Sequence, residues 1–107
     1  MFKDRTTNRS ATILAVDDEQ TVQQVLKTVL SKAGCNVLAA GIGQDALKMA
    51  AVSKPDLVLM AILMPGMGGY ETTLQLKKLL SFEDIPVIFL SRRSEEEDRD
   101  RAFAVGA

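Results

Sequence analysis

The chain has no histidine, no tryptophan, one cysteine and three prolines. The lack of histidine excludes Ser-His-Asp and Cys-His catalysis and every imidazole-ligated metal. Any chemistry must come from carboxylates, hydroxyls, amines or the backbone. The lone Cys35 can form no internal disulfide and has no Cys or His companion for a zinc site, which leaves it a buried structural thiol. No apolar run approaches the roughly 20 residues of a membrane span, and the polar start lacks a signal-peptide core. The expectation is a cytoplasmic protein with no membrane partner. Charge of one sign is lacking too: 13 basic residues face 14 acidic ones, a formal net charge of −1. With no local basic patch either, direct binding of nucleic acid is not expected. What is present is ordinary: 107 residues, 47% hydrophobic and 25% charged, enough for one globular domain.

Residues 1–11, rich in Thr, Asn, Arg and Ser, read as a flexible lead, and residues 12–107 as the domain. Thr12-Ile13-Leu14-Ala15-Val16 is a nearly continuous apolar run that stops at Asp17-Asp18-Glu19, the pattern of a strand covered on both faces. Val22, Val25, Leu26, Val29 and Leu30 then follow helical spacing as one apolar stripe, closed by Gly34. Residues 36–40 predict a second strand. Residues 44–52 predict a small helix with Ala46, Leu47, Ala50 and Ala51 on one side and Asp45 at its positive end. Lys54-Pro55 breaks the chain before a third strand over 57–61. A loop over 64–69 holds Pro65, Gly66, Gly68 and Gly69, and a third helix runs from 70 to 80. Pro86 opens a fourth strand over 87–90. Ser94 and Glu97 form a capping box for a fourth helix. The alternation βαβαβαβα argues for a parallel sheet with helices on both faces.

In such sheets ligands gather beyond the carboxyl ends of the strands, where strand order reverses. The first strand delivers Asp17 and Asp18 there, the third delivers Ala61, and the fourth delivers Ser91. Adjacent carboxylates repel and persist best beside a cation, and oxygen-only ligands suit Mg²⁺. The plainer alternative is that Asp17 and Asp18 cap the next helix and face solvent.

Four segments decide more than this chemistry does. Ile13-Leu14-Ala15-Val16-Asp17-Asp18-Glu19, Pro55-Asp56-Leu57-Val58-Leu59-Met60, Met64-Pro65-Gly66-Met67 and Ile85-Pro86-Val87-Ile88-Phe89-Leu90-Ser91 occur in the order and spacing of the receiver domain of two-component response regulators, which the chain resembles over residues 12–107. The resemblance implies a flavodoxin-like, doubly wound α/β fold with strand order 2-1-3-4, a fifth strand normally lying beside the fourth. It also implies a Mg²⁺ site at Asp17, Asp18 (the more direct ligand) and the backbone carbonyl of Leu63. Ser91 becomes the contact for a bound phosphoryl group, and a histidine kinase or phosphotransfer protein the partner.

Two departures change what the resemblance implies. The Met-Pro-Gly segment fixes the register so that the phosphoacceptor position falls on Ala61. A methyl group has no nucleophilic oxygen and no metal-binding lone pair, so phosphoryl transfer to this position is excluded and Mg²⁺ is held weakly or not at all. Asp56, about 16 Å back along the same strand by strand rise, stands at the wrong end to substitute. Gly68, where the family often has an acid, offers nothing. Ala61 admits two histories, an introduced substitution or a natural receiver that has lost its acceptor. The second departure is at Val105-Gly106-Ala107, which resembles the close of the fourth helix, so the expected domain is truncated before the fifth strand, its Lys and the fifth helix. The fourth strand then becomes an apolar edge, and self-association through the fourth strand and helix is expected.

Arg92 and Arg93 read as a solvated loop with a lesser option of obstructing the site, and the acidic run over 95–98 as an exposed helix start. The expected function is a non-enzymatic signalling module, non-phosphorylatable at Ala61. The alternative is a phosphate-independent pseudo-receiver used for protein interaction or dimerisation, or joined to an output domain. A nucleotide- or flavin-binding domain fits poorly, because Asp17-Asp18-Glu19 stands where a glycine-rich phosphate loop would be needed.

Overall fold

The apolar runs form strands β1 (Thr12–Val16), β2 (Asn36–Ala40), β3 (Leu57–Ala61) and β4 (Val87–Leu90), and the helical-period stretches form α1 (Gln20–Lys32), α2 (Gly43–Ser53) and α3 (Gly69–Leu80). These elements come from a computed structural model that describes residues 10–80 and 85–90. The expected flexible lead over 1–11 falls largely outside the described residues, as do the fourth helix, its capping box and Arg92–Arg93. The sheet order is β2-β1-β3-β4 and every neighbouring pair is parallel, the doubly wound arrangement expected from the sequence. Strand order reverses between β1, which leads outward to β2, and β3 on its other side.

Alternation along the strands sorts side chains onto two faces. Leu14, Val16, Ala40, Val58, Met60 and Val87 join Ala46 and Ala50 of α2 and Leu76 of α3 in one buried cluster. The opposite face takes Ile13 and Ala15, both fully buried, and carries α1, which packs on β1 and β2. The apolar stripe along α1 is only partly covered: Val22, Leu26 and Leu30 are half-buried, and Val25 and Val29 remain 54% and 58% exposed.

Local geometry at the breaks follows the residues. Gly34 takes φ +93°, and the N–H groups of Gly34 and Cys35 donate to Ser31 and Leu30 carbonyls at 3.0 Å each, the double closure that a left-handed residue allows after a helix. Lys54 ends α2 at φ 47° before Pro55. Asp56 is fixed at the amino edge of the sheet. Its N–H donates to the Thr12 carbonyl at 2.8 Å, and its Oδ2 accepts from the Thr12 N–H at 2.8 Å. Asp56 thus closes the start of β1 onto β3. Cys35 is buried.

Two neighbouring threonines in α3 are both fully buried and differ in satisfaction. Thr72 Oγ1 donates to the Gly68 carbonyl at 2.8 Å, whereas Thr73 Oγ1 has no hydrogen-bond partner among the described residues. A buried hydroxyl without a partner costs about 1–3 kcal/mol. Thr73→Val is expected to raise stability by about 1 kcal/mol and Thr72→Val to lower it by about as much, each read as a shift of several degrees in thermal midpoint. Equal effects of the two substitutions would contradict the assignment.

Candidate functional site

The register of the parallel strands builds the site. Val16 pairs with Ala40 on one side and Met60 on the other, and Ala61 pairs with Leu90. One step beyond Val16 lies Asp17, beside Ala61, and the period of two puts both side chains on the face that carries α1. The Asp17 N–H still donates to the Ala40 carbonyl at 3.0 Å, so the acid is held by the sheet and does not belong to a free loop. Asp17 is 6% exposed and Ala61 5%. Asp18, one residue on, is exposed. The sequence left open whether these acids hold a cation or cap the helix and face solvent; Asp17 is buried at the strand end and Asp18 faces solvent.

Asp17 also turns the chain toward α1. Its Oδ1 accepts the Glu19 N–H at 2.9 Å, a local turn just before the helix. Gln23, on the first full turn of α1, donates from Nε2 to the Asp17 carbonyl at 2.6 Å. It lies close to Gly41 as well, where a Cβ would sit 3.6 Å from the amide nitrogen. Sequence reading gave Gln23 no role. The signal was there, a polar residue set between Val22 and Leu26 on the sheet-facing side of the stripe.

The exit from β3 is the tightest part of the rim. The Gly69 N–H donates to the Ile62 carbonyl at 2.9 Å, and a Cβ on Gly69 would strike the Ala61 carbonyl oxygen. Only a glycine lets α3 begin against the last peptide of β3. Gly43 meets a similar limit at the start of α2, where a Cβ would collide with the Thr72 hydroxyl. Between these contacts the loop carries Leu63, with its side chain 75% exposed, and Gly66 at φ 74°. Tyr70 and Phe89 pack ring against ring at 4.9 Å between centroids, tying the start of α3 to the end of β4. Ser91 follows directly after β4 and lies outside the described residues.

Tested for a metal, the rim offers two carboxylates and, in chain order, the Leu63 carbonyl. One oxygen of Asp17 accepts the Glu19 N–H, Asp18 is open to water, and Ala61 beside Asp17 ends in a methyl group. Among the described residues no three His, Cys, Asp or Glu side chains come together. Such a set fits a Mg²⁺ ion that keeps most of its water shell and does not form a closed cage. No helix of the described residues is long and apolar enough to cross a membrane.

The chain matches the response regulator receiver domain family over residues 13–107. It is 43% identical over 89 residues to protein PilH of Pseudomonas aeruginosa, covering 83% of this chain and 74% of that protein. With the transcriptional regulatory protein YvrH of Bacillus subtilis it shares 36% identity over 99 residues, 92% of this chain but only 40% of that longer protein. Among solved structures, chemotaxis protein CheY4 of Vibrio cholerae superposes with a TM-score of 0.88 at 30% identity, over 92% of this chain and 82% of that one.

Placing a carboxylate at position 61 sets it against the buried Asp17. Like charges in a half-dry site cost on the order of 1–2 kcal/mol. Ala61→Asp is expected to melt about 5 °C below the unchanged chain in metal-free buffer and to recover on addition of Mg²⁺. A midpoint for Ala61→Asp equal to or above that of the unchanged chain would count against an acidic pocket here.

Proposed function

The chain belongs to the response regulator receiver domain family, and from that premise we propose that it is a two-component signalling module that cannot take up a phosphoryl group at its acceptor position. Receiver domains are signalling modules, generally not enzymes; they interact with histidine kinases or phosphotransfer proteins and generally bind Mg²⁺ at an acidic pocket. The observation that carries the finer reading is Ala61, buried at the end of β3 beside Asp17. Phosphoryl transfer to a receiver needs an oxygen nucleophile at that point, and a methyl group supplies none. Asp17 and Asp18, with the Leu63 carbonyl, would hold Mg²⁺ there, weakened by the missing third acid; the ion would supply charge neutralisation for an incoming phosphoryl group. Asp56 gives no substitute, since both its N–H and its carboxylate are committed to Thr12 at the opposite edge. Ser91 keeps its proposed role as phosphoryl contact, with no phosphoryl group to receive.

On this reading the module, cytoplasmic and spanning residues 12–107, binds a histidine kinase or phosphotransfer protein without consuming its phosphoryl group. An output domain is the further partner it would serve. The second reading is a natural phosphate-independent module for interaction or dimerisation, including self-association at the fourth strand.

Incubation with acetyl phosphate and Mg²⁺ followed by intact-mass measurement tests the first claim. The chain is expected to keep its mass unchanged. A stable gain of one phosphoryl mass would show a nucleophile elsewhere and overturn it.

A further inference from the structure

The two acids of the rim are joined by one peptide, and the side chain of Gln23 holds it. Gln23 Nε2 donates to the Asp17 carbonyl at 2.6 Å, and this carbonyl belongs to the peptide that links Asp17 to Asp18. The peptide on the other side of Asp17 is held by the sheet, through its N–H and the Ala40 carbonyl at 3.0 Å. A peptide unit is planar, so fixing the planes on both sides of Asp17 fixes the two dihedrals between them. Asp17 therefore has one backbone geometry, and Asp18 leaves the strand end on one heading.

Gln23 suits this span. Its own N–H donates to the Glu19 carbonyl at 3.1 Å, the first bond of the helix, while its side chain reaches further back to Asp17. One residue thus bridges the turn at both ends. Glu19 stands at the N-cap position, and its own side chain makes no cap bond. Gln23 is half-buried, and its amide lies near Gly41 just after β2, where a Cβ would meet it at 3.6 Å. That is ordinary contact, so the amide occupies the space between the ends of β1 and β2 without being crowded.

We infer that Gln23 is a positioning residue for the cation site: it holds the Asp17–Asp18 peptide so that both carboxylates are set for one divalent ion. This role rests on the Mg²⁺ reading of Asp17 and Asp18 and extends it to a side chain that acts through the peptide, not as a ligand. A rim with one buried acid, one exposed acid and a methyl group at position 61 gains most from such preorganisation, because the ion then orders no backbone when it binds. A mere helix anchor behaves otherwise. Losing its amide would cost stability and leave ion affinity unchanged.

Gln23→Met keeps the length of the side chain and the charge of the rim, and removes only the donor. Gln23→Asn keeps the amide and falls one methylene short of the carbonyl. The probe is MgCl₂ titrated into the isotope-labelled full chain, with the backbone amide resonances followed by NMR. In the unchanged chain the Asp17 and Asp18 amides are expected to shift in a saturable manner. Both Gln23 variants are expected to raise the Kd for Mg²⁺ by at least about fivefold, and to displace the Asp18 amide resonance before any ion is added. Gln24→Met, next in the chain and exposed, is expected to change neither. Saturation with the same Kd in the unchanged chain and in either folded Gln23 variant would overturn the role of Gln23 and leave the Mg²⁺ reading standing. An equal loss of affinity in Gln24→Met would overturn that role too. No saturable shift at Asp17 and Asp18 in the unchanged chain would overturn both.

Discussion

The contact on which the site depends is between Gly69 and the Ala61 carbonyl. Parallel strands of nearly equal length end along one edge of the sheet, but that edge becomes a pocket only if the chain leaving β3 turns back at once. Gly69 permits this, because a side chain there would collide with the last peptide of β3 and push α3 away. With α3 starting at that point, Thr72 reaches Gly43 at the start of α2, and Tyr70 reaches Phe89 at the end of β4. Two glycines thus set how closely helices approach the rim, and the strand register decides which side chains the rim receives.

What it receives is one buried carboxylate beside one methyl group. A buried carboxyl group is costly unless hydrogen bonds replace its water, and Asp17 obtains such a bond from the Glu19 N–H. The same bond turns the chain just before α1. Gln23 fastens the peptide behind it. Among the described residues, the acid at this rim is held in part by backbone contacts, beside a strand end that carries only a methyl group.

The strands were legible in the sequence because both faces of the sheet need apolar residues, and runs such as 12–16 and 57–61 stop abruptly at polar or glycine-rich breaks; their order came from the resemblance to receiver domains, and the sheet has it. Asp56 was placed at the far edge by counting residues alone, and its pairing with Thr12 agrees. The stripe on α1 was legible as residues sharing one side, and the sheet beneath covers just part of that side. One feature escaped. Gln23 escaped because a polar residue between two apolar ones carries no sign of which carbonyl it will meet. The role given to Ser91 falls outside the described residues and stays a proposal.

The central claim is that a carboxylate at position 61, and nowhere else, would complete the pocket. Its most direct test is to treat Ala61→Asp with acetyl phosphate and Mg²⁺, then map any hydroxylamine-labile acyl phosphate by peptide mass. The label is expected on residue 61 alone and only with Mg²⁺ present. Label on Asp17, Asp18 or Asp56, or label formed equally well without Mg²⁺, would contradict the claim.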